Sequence, residues 1–345
     1  MKTLFFKIII VALFLSSNSV IAQNEETQFD KTKNEIINLI NLPNPTFSPD
    51  IVPKSMTPKE IADLGFEQTY KNTPKKFDMR DGKKLFSYVY ENESKVTTIL
   101  LHGILSNSYL MNKTAGLLKE TTNSEVIALD FRGHGQSDGK PGDVEYINQY
   151  ADDLEDVIST IKKEKPNQKI ILAGHSMGGG IILRYAMKEN TPQIDGYLLF
   201  APYLGVNSPT IKEQKSEEDT FLKLHINRII GLKMLNAIGD TTYNNLPVLF
   251  FNLPGEMPIT KYSFRANESM SPLDYKKGLN AINKPLLVVV GSEDEAFDAT
   301  KFTSAVTNNS KGKVAIIEGE SHNGVRHNKK TMEAISLWIK NHKLQ

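Results

Sequence analysis

From Phe77 onward the chain alternates short, continuously apolar runs with stretches whose apolar residues recur at helical spacing. Residues 77–79 and 85–90 flank Arg80-Asp81-Gly82-Lys83, a turn signal that predicts an antiparallel hairpin. Apolar runs of strand length follow at 97–101, 126–130, 170–173, 197–200, 286–290 and 314–317. A strand that is apolar at every position has both faces buried, as in a parallel sheet covered by helices. The clearest intervening helix carries Ile147, Tyr150, Ala151, Leu154, Val157, Ile158 and Ile161 on one face. This alternation predicts an α/β fold: a mostly parallel central sheet with helices on both faces.

Three segments break the rhythm. Residues 203 to about 281 separate two strands by far more than one crossover helix needs, which predicts an inserted cap. Within it 222–238 reads as helical and 246–253 is a dense apolar run. Residues 23–75 are polar and punctuated by Pro43, Pro45, Pro49, Pro53, Pro58 and Pro74, with one amphipathic stretch around Ile36, Ile37, Leu39 and Ile40. They predict a loosely structured leader packed onto a domain that spans 76–345. In residues 1–22, Lys2 and Lys7 precede an apolar run at 8–15 and then Val20-Ile21-Ala22. That run is about half the roughly 20 apolar residues a membrane span requires, so the segment reads as a signal peptide cleaved after Ala22. The mature protein is expected to be exported, in a periplasm or outside the cell.

Charge and cysteine content narrow the chemistry. Forty-one Lys and Arg against 40 Asp and Glu leave a net charge of +1, so no overall field favours nucleic acid as a partner. The absence of cysteine excludes disulfides, a thiol nucleophile and thiolate metal sites.

The decisive segment runs from the 170–173 strand into Gly174-His175-Ser176-Met177-Gly178 and on into a helix. G-x-S-x-G in that context is a nucleophile elbow, where a sharp turn lifts Ser176 clear of the sheet. A serine hydroxyl needs a base to take its proton and an acid to orient the base. Asp294 follows the 286–290 strand and His322 follows the 314–317 strand, which places both at the edge where parallel sheets bind ligands. Glu293, Glu295 and Asp298 are rival acids. His102, His134 and His175 lie in glycine-flanked turns suited to backbone bonding, while His225, His327 and His342 read as solvated. The oxyanion of an acyl transfer needs preorganised donors. The elbow offers the backbone N–H of Met177, and Leu101-His102-Gly103-Ile104 offers that of Ile104.

Together, His102-Gly103, Asp130-Phe131-Arg132-Gly133-His134-Gly135-Gln136-Ser137-Asp138-Gly139, the elbow, Asp294 and His322 resemble the α/β-hydrolase superfamily. Within it they resemble the lysophospholipase and monoacylglycerol lipase-like branch of serine aminopeptidase S33-like hydrolases. The resemblance implies hydrolysis of carboxylic esters, often lipid-derived, by a Ser176–His322–Asp294 triad without metal or organic cofactor. Its partner would be a small-molecule or lipid ester. The 246–253 run would suit an acyl pocket or transient contact with a membrane surface; ordinary core is its other reading. Ile104-Leu105-Ser106-Asn107-Ser108 lacks the acidic and histidine residues common there in monoacylglycerol lipases. Three alternatives share the motifs. One is a proline-type aminopeptidase using Glu213, Glu217, Glu218 or Asp219 to hold an amine; the others are a cofactor-free haloperoxidase and a non-catalytic binding module.

Overall fold

The computed structural model describes residues 19–48, 56–212, 221–253 and 257–344. The described residues begin with helices α1 (Ser19–Ile40) and α2 (Pro58–Leu64), then the hairpin β1 (Thr73–Asp78) and β2 (Lys84–Tyr90). An alternating series follows: β3 (Val96–Leu101), α3 (Asn112–Thr122), β4 (Glu125–Leu129), α4 (Gln149–Glu164), β5 (Lys169–His175), α5 (Met177–Ala186) and β6 (Gly196–Phe200). The insertion supplies β7 (Leu222–Leu224), α6 (Ile226–Ala237), β8 (Pro247–Phe251), β9 (Lys261–Ser263), α7 (Phe264–Ser269) and α8 (Tyr275–Asn280). The series resumes with β10 (Leu286–Gly291), α9 (Ala299–Thr307), β11 (Lys313–Ile317) and α10 (Lys329–His342).

The main sheet has eight strands in the order β1-β2-β4-β3-β5-β6-β10-β11. Only the pairings of β2 with β1 and β4 are antiparallel. Side chains of a strand alternate between faces, and here they sort into two cores. Ile99, Leu101, Leu172, Leu199 and Val290 face α4, α5 and α9 in one. Leu100, Ala173, Leu198, Phe200 and Val289 face Leu118 of α3 and Trp338 of α10 in the other. Both faces are therefore dry, which is why the strands read as unbroken apolar runs. The order β4-β3-β5 means that the chain leaves β3 toward one side and crosses back to the other. The loops after β3 and β5 part there, from adjacent strand ends, at the position where such sheets bind ligands.

The chain divides into two compact units, with residues up to Asn44 and His225–Tyr243 forming one and the remainder the other. In the smaller, α1 lies against α6: a Cβ at Gly231 would come within 2.5 Å of Ile40, and only a bare backbone tolerates that approach. Arg228 caps the end of α1, donating to Ile40 C=O (2.6 Å), Leu42 C=O (3.1 Å) and Asn44 Oδ1 (2.8 Å). The leader is thus more ordered than its proline content predicts, with residues 23–40 lying in helix α1. Its second helix starts at a capping box, in which Thr57 Oγ1 accepts from Glu60 N–H and Glu60 accepts from Thr57 N–H.

In the larger unit β7, β8 and β9 form a separate antiparallel sheet. Residues 222–224, read as the start of a helix, instead pair with β8 as β7. The helix begins only at Ile226, where the His225 ring accepts the Arg228 N–H. Val248, Leu249, Phe250 and Phe251 of the dense apolar run are buried in β8, while the residues at its two ends are half-buried. Among the described residues no helix is long and apolar enough to cross a membrane. Most of the segment read as a signal peptide, residues 1–18, lies outside the described residues, as do Glu213, Glu217, Glu218 and Asp219.

Candidate active site

Ser176 sits between β5 and α5 with φ 52° and ψ −115°, a left-handed strain that a residue with a Cβ adopts only when its surroundings impose it. The surroundings are tight: a Cβ on Gly174 would lie 2.6 Å from the Gly178 backbone, and one on Gly178 would lie 2.6 Å from Leu101 C=O. Ser176 N–H donates to Phe200 C=O (2.9 Å), pinning the elbow to β6. Although Ser176 occupies the N-cap position of α5, its hydroxyl makes no capping bond. Helix capping, the ordinary use of a serine here, is therefore not what this side chain does.

Asp294 and His322 follow the paired ends of β10 and β11, where Gly291 stands opposite Ile317. His322 Nδ1 lies 2.8 Å from Asp294 Oδ2. The other carboxylate oxygen, Oδ1, accepts the N–H groups of Ala296 and Phe297, each at 2.8 Å, so the carboxylate is fixed on both sides. The insertion bears on this loop too: Asp298 N–H donates to Thr210 C=O (2.8 Å), and Lys212 Nζ donates to Asp294 C=O. His322 is also held by its backbone, its N–H donating to Glu295 Oε2 (2.9 Å) and its C=O accepting from His175 Nε2–H (3.0 Å). The edge of Phe297 meets the imidazole at 5.2 Å. Among the rival acids Glu295 binds the His322 backbone and Asp298 caps α9, leaving Asp294 as the carboxylate on the ring. Among the described residues Ser176 Oγ has no hydrogen-bond partner; catalytic hydrogen bonds are often long without substrate and tighten on binding.

The N–H groups of Ile104 and Met177, the expected oxyanion donors, have no backbone partner among the described residues. Met177 is the first residue of α5, where N–H groups are unsatisfied and the helix dipole favours negative charge. The loop carrying Ile104 presses on Ser176, since a Cβ on Gly103 would come within 3.3 Å of Ser176 Cβ. Its orientation follows from His102. Phe131 N–H donates to His102 Nε2 (3.1 Å), so Nδ1 carries the proton and donates to Gly103 C=O (2.7 Å). A trans peptide points its C=O and N–H in opposite directions. Anchoring Gly103 C=O on His102 therefore turns Ile104 N–H away from that ring. Burial holds His102 neutral, lowering its pKa to about 4. Asp130 clamps the same loop, accepting from Ser108 N–H (2.5 Å) and from Gln136 N–H (2.8 Å); burial raises its pKa.

His102, His134 and His175 are buried and bond the backbone, the role their turns suggest. His225 and His327 depart from the solvated reading. His225 is buried as the cap of α6, and His327 is half-buried with Nε2 3.0 Å from Thr114 Oγ1. Sequence reasoning missed Tyr262 and Asp63, neither of which belongs to a local motif.

Residues 92–245 match the family model described as serine aminopeptidase, S33. The AB hydrolase superfamily protein YisY of Bacillus subtilis is 30% identical over 217 residues, covering 59% of this chain and 76% of that protein. The chain belongs to the α/β-hydrolase superfamily. This α/β-hydrolase is also 30% identical over 129 residues to the monoglyceride lipase of Rattus norvegicus, covering 37% of the chain but only 42% of the lipase. Its fold matches that of the α/β-hydrolase GrgF from Penicillium sp. sh18 with a TM-score of 0.56 and 16% identity, over 80% of this chain and all of that one.

Proposed function

We propose that this hydrolase cleaves carboxylic esters through an acyl-enzyme on Ser176. The observation that carries the reading is the 2.8 Å pairing of His322 Nδ1 with Asp294 Oδ2 at the same sheet edge as the strained, uncapped Ser176. Asp294 holds the Nδ1–H tautomer, leaving Nε2 free to take the Ser176 proton as Oγ attacks the ester carbonyl. The carbonyl π pair moves to oxygen, and that oxyanion is received by the N–H groups of Ile104 and Met177. Collapse breaks the bond to the alcohol, which leaves with the proton from His322. Water then attacks the acyl carbon, giving its proton to His322, and the second collapse releases the acid and returns the proton to Ser176.

The acyl group is apolar and lipid-derived in this reading. Supporting it are the similarity to a monoglyceride lipase and an aromatic wall beside the reacting groups. Tyr203, whose N–H donates to Ser176 C=O, stacks on Phe297 at 6.2 Å, and Phe297 edges onto His322. Export rests on the sequence of residues 1–22; cleavage after Ala22 would leave α1 starting at Gln23.

A second reading, a proline-type aminopeptidase, is favoured by the description of the matching family model. One panel separates the two: p-nitrophenyl esters from acetate to palmitate, a monoacylglycerol, a lysophospholipid and a proline anilide, with wild type beside Ser176→Ala. Ester turnover that falls at least ~10⁴-fold in the variant is expected. Turnover of the anilide alone would replace the esterase with the peptidase.

A further inference from the structure

Ile104 is followed by a residue in an unfavourable conformation. Leu105 has φ 58°, left-handed backbone that side chains other than glycine's resist. Its N–H is bound by the hydroxyl of Tyr262, 3.0 Å away and 157 residues later in the chain. Tyr262 lies in β9 of the inserted sheet and is fully buried. Its hydroxyl is used in both directions, accepting from Leu105 N–H and lying 2.9 Å from His134 Nε2. His134 Nδ1–H in turn donates to Arg132 C=O (3.0 Å), which makes Nε2 an acceptor and Tyr262 its donor. Burial pushes the His134 pKa down to about 3, so the ring stays neutral and the direction of the relay does not reverse.

β9 is fastened to the loop that carries His134. Ser263 N–H donates to Gly142 C=O (3.0 Å), and Arg265, the second residue of α7, grips Asp143 through Nε and Nη2 at 2.9 Å each. Tyr262 thus approaches Leu105 from a rigid base. The two peptides flanking Ile104 are then both anchored: the one before it through Gly103 C=O on His102, and the one after it through Leu105 N–H on Tyr262.

We propose that Tyr262 is a positioning residue for catalysis, by which the inserted sheet holds the Leu105 peptide and so fixes the aim of the Ile104 N–H at the developing oxyanion. The inference rests on the esterase reading above. A donor aimed in advance stabilises the transition state without reorganising, so the contribution falls on kcat and leaves ground-state binding alone.

The test compares wild type, Ser176→Ala and Tyr262→Phe on p-nitrophenyl butyrate, with an alkyl boronic acid as the tetrahedral-adduct probe. Tyr262→Phe removes one oxygen and should lower kcat about 10-fold or more, short of the 10²–10³ for losing an oxyanion donor outright. KM should be unchanged and the boronate should bind more weakly by the same factor. A merely structural hydroxyl would lower the melting temperature and leave kcat and boronate affinity alone. Because Phe leaves Leu105 N–H and His134 Nε2 unpartnered, 3,5-difluorotyrosine at position 262 is the second variant. It keeps the shape but accepts hydrogen bonds more weakly, and it should lower kcat in the same direction. Ser176-dependent wild-type turnover with either folded variant matching wild type in kcat and boronate affinity overturns the role of Tyr262 alone. Wild-type turnover that is absent, or that survives Ser176→Ala, overturns the esterase reading and this inference with it.

Discussion

The carboxylate of Asp63 accepts the Ser321 hydroxyl proton at 2.9 Å, joining helix α2 of the leader to the residue immediately before His322. Ser321 Oγ in turn accepts Gly324 N–H (2.9 Å), closing the turn that follows. The fully buried Arg326 donates to Asp63 C=O (2.8 Å) from the far side of that turn. Its burial lowers the guanidinium pKa to about 10. The leader segment around α2 is therefore a strut for the histidine loop.

Asp63→Ala should destabilise the protein by about 1.5–3 kcal/mol, the range for a hydrogen bond with one charged partner, and should lower kcat by loosening His322. Urea unfolding and steady-state kinetics on Asp63→Ala, Ser321→Ala and the double variant measure the coupling. A coupling energy of about 1 kcal/mol is expected, and strict additivity would remove the strut from the account.

The fixing of Asp294 on both oxygens gives its amide variant a definite geometry. Oδ1 accepts two N–H groups, so the carbonyl of an asparagine must take that place and its NH₂ must face His322 Nδ1. Nδ1 would then be the acceptor and the proton would sit on Nε2, the nitrogen that takes the serine proton in the proposed mechanism. Asp294→Asn should keep the melting temperature within a few degrees yet lower kcat by about 10⁴ through the wrong tautomer. Loss of folding in place of activity would mean that the carboxylate serves mainly to hold the loop.

The sheet was legible because its strands are buried on both faces, and the elbow because glycine and serine must stand at fixed offsets in one short stretch. Asp294 and His322 could be paired from sequence since each follows a strand end. Tyr262 could not, because nothing near it in sequence marks a hydroxyl that bonds a backbone N–H 157 residues away. The C-terminal part of helix α1 was legible as the amphipathic stretch around Ile36, Ile37, Leu39 and Ile40, of which Ile36 and Ile40, four residues apart, are buried; its start at Ser19 was not. The box Thr57-Pro58-Lys59-Glu60 was a readable start for α2. Residues 222–224 alternate as a strand for three positions only, too short for periodicity to separate them from the helix that follows.

Four of the seven histidines give the stability a pH dependence whose sign can be worked out. Burial lowers the pKa of His102 to about 4, of His134 to about 3 and of His327 to about 2, and takes His175 well below its ordinary 6.5. Between pH 6.5 and about 4 the unfolded chain binds protons at these rings while the folded chain does not, so stability falls as pH falls. Well below pH 6.5 each histidine contributes about 1.4 kcal/mol per pH unit, until the folded ring itself titrates. Asp130 and Asp153, whose pKa values burial raises, act in the opposite sense at the acid end of that window. Urea midpoints measured from pH 8 to pH 5 should be nearly flat above 7 and fall with increasing slope below 6.5. Replacing His327, which lies outside the reacting groups, with glutamine should reduce the proton uptake on unfolding at pH 5 by about one. An unchanged uptake in that variant would mean that His327 is already protonated in the folded protein.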